Sequence, residues 1–236
     1  MYKMFLAVLI LFFAVIITGC SSGGSGSGSG GGGGVRPVSI GDIITFGEYQ
    51  WRVLDIKDGK ALIITEGVIE CRPYHETYMS VTWLDCDLRE YLNGEFYNKF
   101  SNTDKARIIE TNIINQNNQW YSTPGGITTN DKIFLLSLEE VVLYFGDSGD
   151  LANRPTEAWY IDDSYNASRI ASTVQTLSWN GNVRWNAGEV CWWWLRSPGN
   201  YDIHAACVGS DGCIYVTGSN ATNSYGCLRP ALWLNL

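Results

Sequence analysis

The chain has 236 residues, enough for one domain with a substantial core in addition to any export segment. Sixteen Lys and Arg stand against twenty-four Asp and Glu, a net charge of −8, and the basic residues form no cluster. That balance argues against nucleic acid or anionic lipid headgroups as partners.

The first element is an export signal. Lys3 precedes an apolar run from Met4 to Ile17 that is too short for a comfortable membrane span and ends in Ile17–Thr18–Gly19–Cys20. Small residues followed by cysteine form a bacterial lipoprotein signal, so residues 1–19 are expected to be removed and the Cys20 thiol to take a diacylglycerol. An uncleaved transmembrane anchor is the other reading, and both export the chain. Residues 21–34 are only Ser and Gly. With Cys20 and residues up to 38 they are expected to form a flexible tether of about 20 Å reach. The expected location is the outer face of the cytoplasmic membrane, with membrane contact through the lipid only.

From Ser39 to Leu236 the pattern is that of one α+β domain. Ile43–Phe46, Trp51–Ile56 and Ala61–Thr65 are rich in β-branched and aromatic residues, and Gly47–Glu48 and Lys57–Asp58–Gly59 punctuate them as turns. Leu88, Tyr91, Leu92 and Phe96 share one face of a helix predicted over Asp87–Phe100. A short helix is predicted near Thr103. Ser137–Leu138–Glu139–Glu140 is a capping box opening a third, with Gly146 as its stop. After Trp179 the signals are strand-like: Cys191–Leu195, Ile203–Val208, Cys213–Thr217 and Leu228–Leu234, with Ser210–Asp211–Gly212 turning the middle pair. Helices thus gather in the first half and antiparallel strands in the second.

Beyond Cys20 there are six cysteines, Cys71, Cys86, Cys191, Cys207, Cys213 and Cys227. They could pair in fifteen ways, and no CxxC suggests zinc or redox work. Unpaired buried thiols and one or two disulfides are both compatible with the spacing. Cys71–Arg72–Pro73–Tyr74–His75 sets a thiol near an imidazole, the elements of a nucleophile–base pair. With only two histidines in the chain, that is a thin basis for catalysis.

The run Cys191–Trp192–Trp193–Trp194–Leu195–Arg196 has the composition of a binding platform. Strand alternation argues otherwise, because Trp192 and Trp194 point to one face and Trp193 to the other. The three rings are therefore expected to be core. Arg196 and Arg229 are expected to be structural, their guanidinium groups tying loop carbonyls together.

The segments VTWLDCDLREYLNGEFYNKF, DKARIIET, TTNDKIFLLSLEEVVLYFGDSG, WWLRSPG and LRPALWL resemble an uncharacterised family of bacterial secreted and surface domains, over about Ser39–Leu236. The WWLRSPG…RPALWL ending is similar to C-type-lectin-like domains, including relatives of the formylglycine-generating enzyme. The resemblance implies a C-type-lectin-like fold with the tryptophan strand and the final strand in one central sheet. Its loops would face a ligand. The copper-holding cysteine pair of the oxidase relatives is not matched by Cys207, Cys213 and Cys227. Calcium-binding lectins use triplets carrying a carboxylate, and Trp179–Asn180–Gly181 and Trp185–Asn186–Ala187 carry none. No metal and no cofactor is expected.

Gly199–Cys227 contains no Lys, Glu, Gln, Met or Trp, whereas Tyr, His, Asp, Asn, Ser, Thr, Ile and Cys mix freely. Adenine-directed mutagenesis of AAC codons by a diversity-generating retroelement produces this restriction in C-type-lectin-like proteins. Turn-forming composition is the simpler explanation. Either way Tyr201, Asp202, His204, Cys207, Cys213, Tyr215, Asn223 and Tyr225 are the expected ligand-binding residues, a paratope-like mixture of rings and adaptable polar groups. Trp159, Tyr160, Asp162, Asp163 and Tyr165 are placed at its border. The expected function is non-catalytic recognition of a protein or glycan on another surface. The alternatives are an envelope enzyme of unknown reaction and a structural envelope component.

Overall fold

A computed structural model describes residues 36–236. The expected signal sequence, Cys20 and residues 21–35 lie outside the described residues. Among those described, no helix is long and apolar enough to cross a membrane.

Turn chemistry builds the first sheet. Strand β1 (Ile43–Phe46) turns at Gly47 into β2 (Tyr49–Lys57). Asp58 and Gly59 both have positive φ, 51° and 74°, and join β2 to β3 (Lys60–Thr65). Two left-handed residues in a two-residue loop make a type I′ turn, whose twist matches the strands it connects. Residues 61–65 of β3 are all buried.

Short elements fill the middle of the chain. Strand β4 (Glu70–Cys71) precedes α1 (Asp87–Tyr91), which runs on as a π-helical turn over Leu92–Phe96. The predicted apolar face is buried as expected, but the winding loosens where Gly94 interrupts the interior. Helix α2 (Asn102–Lys105) is capped by Ser101. Strand β5 (Ile108–Ile109) and the hairpin β6 (Thr111–Ile113) with β7 (Thr129–Asp131) follow. Helix α3 (Leu138–Phe145) carries the capping box, with Ser137 Oγ accepting from Glu140 N and the Glu140 carboxylate accepting from Ser137 N. It stops at Gly146, φ 114°. Helix α4 (Asn166–Arg169) leads to β8 (Ala171–Ser172). Next come the hairpin β9 (Leu177–Trp179) and β10 (Asn182–Trp185), then β11 (Val190–Cys191), which pairs with β8. Asn180–Gly181, part of a triplet weighed above as a metal ligand, is the positive-φ turn of that hairpin.

The last strands are β12 (Trp193–Pro198), β13 (His204–Val208), β14 (Ile214–Asn220), β15 (Cys227–Leu228) and β16 (Ala231–Asn235). Two five-stranded sheets result, in the orders β1-β2-β3-β16-β5 and β14-β13-β12-β15-β4. Every pairing is antiparallel except β12 with β15. The domain is thus a mixed one in which antiparallel strand outweighs helix. Strands also dominate residues 43–65, so helix and strand are not divided between the halves of the domain.

The expectation of one central sheet holding both the tryptophan strand and the final strand is corrected here. The predicted strand Leu228–Leu234 is broken at Arg229–Pro230, with β15 in the second sheet and β16 in the first. Pro230 has no N–H to give a ladder, but its carbonyl accepts from Thr65 N at 3.0 Å. Arg229 secures the corner, donating from Nε to Thr65 O at 2.9 Å and from Nη2 to Glu66 O at 3.0 Å. Its guanidinium lies 5.2 Å from the rings of Phe145 and Trp193. Burial lowers its pKa to about 10.

Candidate ligand-binding surface

The tryptophan run forms the floor. Trp193 and Trp194 are both 0 % exposed, and Trp192 is partly exposed. Rings 192 and 194 meet edge to face at 4.7 Å on one side of the sheet. Trp193 lies on the other side near Phe145 and donates from Nε1 to Arg169 O at 3.1 Å. Trp194 Nε1 donates to Arg72 O at 3.0 Å. Arg196 is buried, pairs with both carboxylate oxygens of Glu140 and donates from Nη1 to Leu135 O at 2.8 Å. It ties α3 to β12.

On the Trp192/Trp194 side, β12, β13 and β14 bring a second layer of residues together. Register places Trp194 opposite Cys207, and Cys207 opposite Tyr215. Directly opposed residues share a face, so Cys207 and Tyr215 extend the surface that Trp194 begins. Between Ala205 and Cys207 the register shifts, and Gly218 in β14 has φ 71°. A Cβ there would sit 2.2 Å from Ala205 O, so only glycine lets the strands close at this point. The result is an open groove of about 340 Å³ lined by Trp192, Cys207, Asp211, Tyr215, Ser219 and Asn223, with Gly209, Ser210 and Gly218 between them.

The polar groups of the groove are braced. Tyr215 donates to Asp211 Oδ2 at 3.3 Å, and Cys213 N donates to Asp211 Oδ1 at 3.0 Å. Burial, followed by the Asp211 charge, pushes the Tyr215 hydroxyl up to about 12, so it stays a donor at neutral pH. The same two causes push the Cys207 thiol up to about 12. Asn223 Nδ2 donates to Ser219 Oγ at 3.2 Å while its Oδ1 accepts from Tyr225 N at 3.0 Å. Segment 159–161 borders β14: Ile161 and Ile214 exchange backbone bonds, and Thr217 N donates to Trp159 O. Tyr160 stacks on Tyr215 at 5.2 Å, and Trp159 is exposed.

The expected ligand residues therefore divide. Tyr215, Asn223 and the edge of Cys207 face the groove. Tyr201, 61 % exposed, packs edge to face on His204 at 5.5 Å, and His204 pairs with Asn220 at the far end of the hairpin from Asp211. Asp202 is exposed beside them, its carbonyl accepting from Val81 N. Burial holds the His204 imidazole below its usual pKa, against the opposing effect of a hydrogen bond with the Thr217 backbone. Tyr225 stands on another edge, with Trp185 Nε1 donating to its carbonyl and Arg184 over its ring at 4.7 Å. Cys213 is corrected: at 4 % exposure it lies beneath Asn166, whose Nδ2 donates to its sulfur at 3.3 Å, out of reach of a ligand. Of the border residues, Asp163 is bound to buried Arg169, and Tyr165 covers Gly146.

The groove adds Asp211 and Ser219 to the expected residues and corrects Trp192, which was expected in the core but lies partly exposed along the groove. The signal was present, since the Ser210–Asp211–Gly212 turn fixes which residues of the hairpin oppose one another. The Cys71/His75 pair is not assembled as a dyad: His75 Nδ1 contacts Asp87 Oδ2 at 2.9 Å, and Cys71 faces Cys227. Among the described residues no group of His, Cys, Asp and Glu is arranged to hold a metal ion.

Residues 58–236 match a protein family described as "Domain of unknown function (DUF6273)". No curated protein and no solved structure matches the chain.

Proposed function

We propose that this chain, which belongs to the DUF6273 family of domains of unknown function, is a surface lipoprotein that captures a ligand without chemistry, at the groove between β12, β13 and β14. The observation that carries the reading is the groove's own composition. Tyr215 and Trp192 offer ring surface to apolar C–H groups, while Asp211, Ser219 and Asn223 offer acceptors and donors to hydroxyls. No Lys, Arg or His lines it, so an anionic ligand would find no counter-charge. A neutral glycan fits these terms better than a protein, because the opening is concave and its polar groups converge.

The Ile17–Thr18–Gly19–Cys20 motif and the Ser/Gly stretch support anchoring at the outer face of the cytoplasmic membrane. The C-terminal motifs support a C-type-lectin-like reading, in which loops after the tryptophan strand present the ligand face. Diversification of that face by a retroelement is part of the same reading.

A glycan array probed with the purified full chain, followed by calorimetric titration of the best glycan, tests it. Tyr215→Ala and Trp192→Ala should each weaken binding at least tenfold while far-UV circular dichroism stays unchanged. Binding that survives both substitutions in folded protein places the site elsewhere.

A further inference from the structure

All six described cysteines are buried thiols, but they are not equivalent. Cys86 caps α1, its sulfur accepting from Arg89 N at 3.4 Å. Cys207 lies at the groove opposite Tyr215, and Cys213 lies against Asn166 with its carbonyl accepting from Gly209 N at 2.8 Å. The other three converge. Cys71 and Cys227 are directly opposed in the antiparallel pair β4·β15. Arg72 N donates to Gly226 O at 2.9 Å, the bond that flanks a non-hydrogen-bonded pair. At such a position Cα atoms lie about 4.5 Å apart with side chains close, inside the range a disulfide spans. On the other edge of β15, Cys227 N donates to Trp192 O at 3.1 Å, which brings the end of β11 alongside. There the Cys191 thiol donates to Glu189 O at 3.4 Å and the Cys227 thiol to Tyr225 O at 3.7 Å, and the two thiols are near enough for each to act on the other's ionisation.

We propose that Cys71, Cys191 and Cys227 form an oxidisable three-thiol site, in which Cys227 makes a disulfide with Cys71 and Cys191 is the thiol that exchanges with it. The oxidant is an external disulfide, of a small thiol or a dithiol protein, met while the domain folds and before the site is covered. The Cys191 thiolate attacks one sulfur of that disulfide, and the first external thiol leaves. Cys227 then attacks Cys191 Sγ and releases the second external thiol. Cys71 attacks Cys227 Sγ, and Cys191 is returned as a thiol. Two protein thiols have lost two protons and two electrons, and one external disulfide has become two thiols.

The environment suits those roles. Once β11 and β15 have met, the neighbouring Cys227 thiol favours the Cys191 thiolate over the opposing effect of burial, so Cys191 is then the readiest nucleophile of the three. Burial, more than the nearby Arg184 charge can offset, pushes Cys71 up to about 11. Burial and the neighbouring Cys191 hold Cys227 protonated. Cross-linking residue 71 to residue 227 would close most of the domain into one loop, the case in which a disulfide constrains the unfolded chain most.

The test uses the full chain carrying Cys20→Ser, unfolded, reduced and refolded in a glutathione redox buffer. Free thiols are then alkylated and the peptides mapped by mass spectrometry. The expected result is one disulfide joining Cys227 to Cys71, with Cys86, Cys207 and Cys213 fully alkylated. Cys71→Ser should move the bond to Cys191–Cys227, and Cys191→Ser should leave Cys71–Cys227 but slow its formation. Thermal unfolding should fall by about 5 °C or more when the bond is reduced. Complete alkylation of Cys227, or a disulfide among Cys86, Cys207 and Cys213, overturns the proposal. Because the readout is thiol state alone, it stands or falls separately from glycan binding.

Discussion

Substituting the three tryptophans one at a time separates floor from surface. Trp193 and Trp194 are fully buried, and each indole N–H holds a carbonyl, of Arg169 and Arg72 respectively. Truncation to Ala would remove about 3–5 kcal/mol of packing and strand a buried acceptor at about 1–3 kcal/mol more. That sum rivals the total stability of an ordinary domain, so the Ala variants are poor probes. Phe retains most of the ring and loses the N–H. For Trp193→Phe and Trp194→Phe the expected cost is about 2–3 kcal/mol, a fall in Tm of roughly 5–10 °C for a domain of this size. Trp192 is partly exposed and has its ring edge in the groove, so Trp192→Phe should cost about 1 kcal/mol or less. Urea unfolding followed by far-UV circular dichroism reads all three without depending on tryptophan emission. Equal losses at 192 and 194, or a neutral Trp194→Phe, would refute the division into floor and face.

Gly226→Ala should destabilise the domain by about 1–3 kcal/mol, because the new Cβ would stand 2.0 Å from Trp194 Nε1 and force the floor apart; equilibrium unfolding measures it. Burial raises the Asp163 carboxyl, but hydrogen bonds from Arg169, Tyr165 N–H and Ser148, with the Arg169 charge, hold it below its usual range. A depressed carboxylate stabilises the fold above its unfolded pKa of about 3.9 and loses that contribution as pH falls through the folded value. Asp163→Asn should therefore flatten the stability profile below about pH 4. His204 has the opposite chemistry but the same sign: its lowered pKa means the unfolded chain takes the proton first, so stability falls as pH drops below about 6.5. His204→Gln should remove that slope.

Local chemistry carried much of the fold into the sequence. The capping box at Ser137–Glu140 and the Asp58–Gly59 turn depend on a few neighbouring residues, and both appear as read. The alternation argument set Trp193 and Trp194 on opposite faces for the same reason, since side-chain direction along a strand is local, but Trp192 lies just before the strand and is partly exposed rather than core. What the sequence hid was long-range. Leu228–Leu234 looks like one strand because nothing in it states that Cys227–Leu228 and Ala231–Asn235 join different sheets. Only Pro230 hinted at a break. The candidate site was half legible for a related reason. Composition marks a segment as ligand-like, but only pairing register tells Tyr215 and Cys207, which share a groove, from Tyr201 and His204, which sit at the hairpin's other end.

The same distinction reframes the restricted alphabet of Gly199–Cys227. Ala205 to Gly209, Gly212 to Ile214, Val216 and Ala221 are buried, and buried strand excludes Lys, Glu and Gln for reasons of solvation alone. The three cysteines of the segment are buried too, which fits placement rather than chance arrival. Burial therefore accounts for a good part of the missing residue types, and only the exposed remainder can carry information about diversification. If a retroelement acts here, sibling copies of the gene should vary at Tyr201, Asp202, Ser210, Asp211, Tyr215, Asn223 and Tyr225 and hold their apolar character at Ala205, Ala206, Val208, Ile214 and Val216. The check is sequencing of the locus, read for a reverse transcriptase, a near-repeat of the 3′ end and adenine-rich codons at those exposed positions. Variation spread evenly over buried and exposed positions would leave the alphabet to turn and core chemistry, and would leave the groove as a fixed site for one ligand.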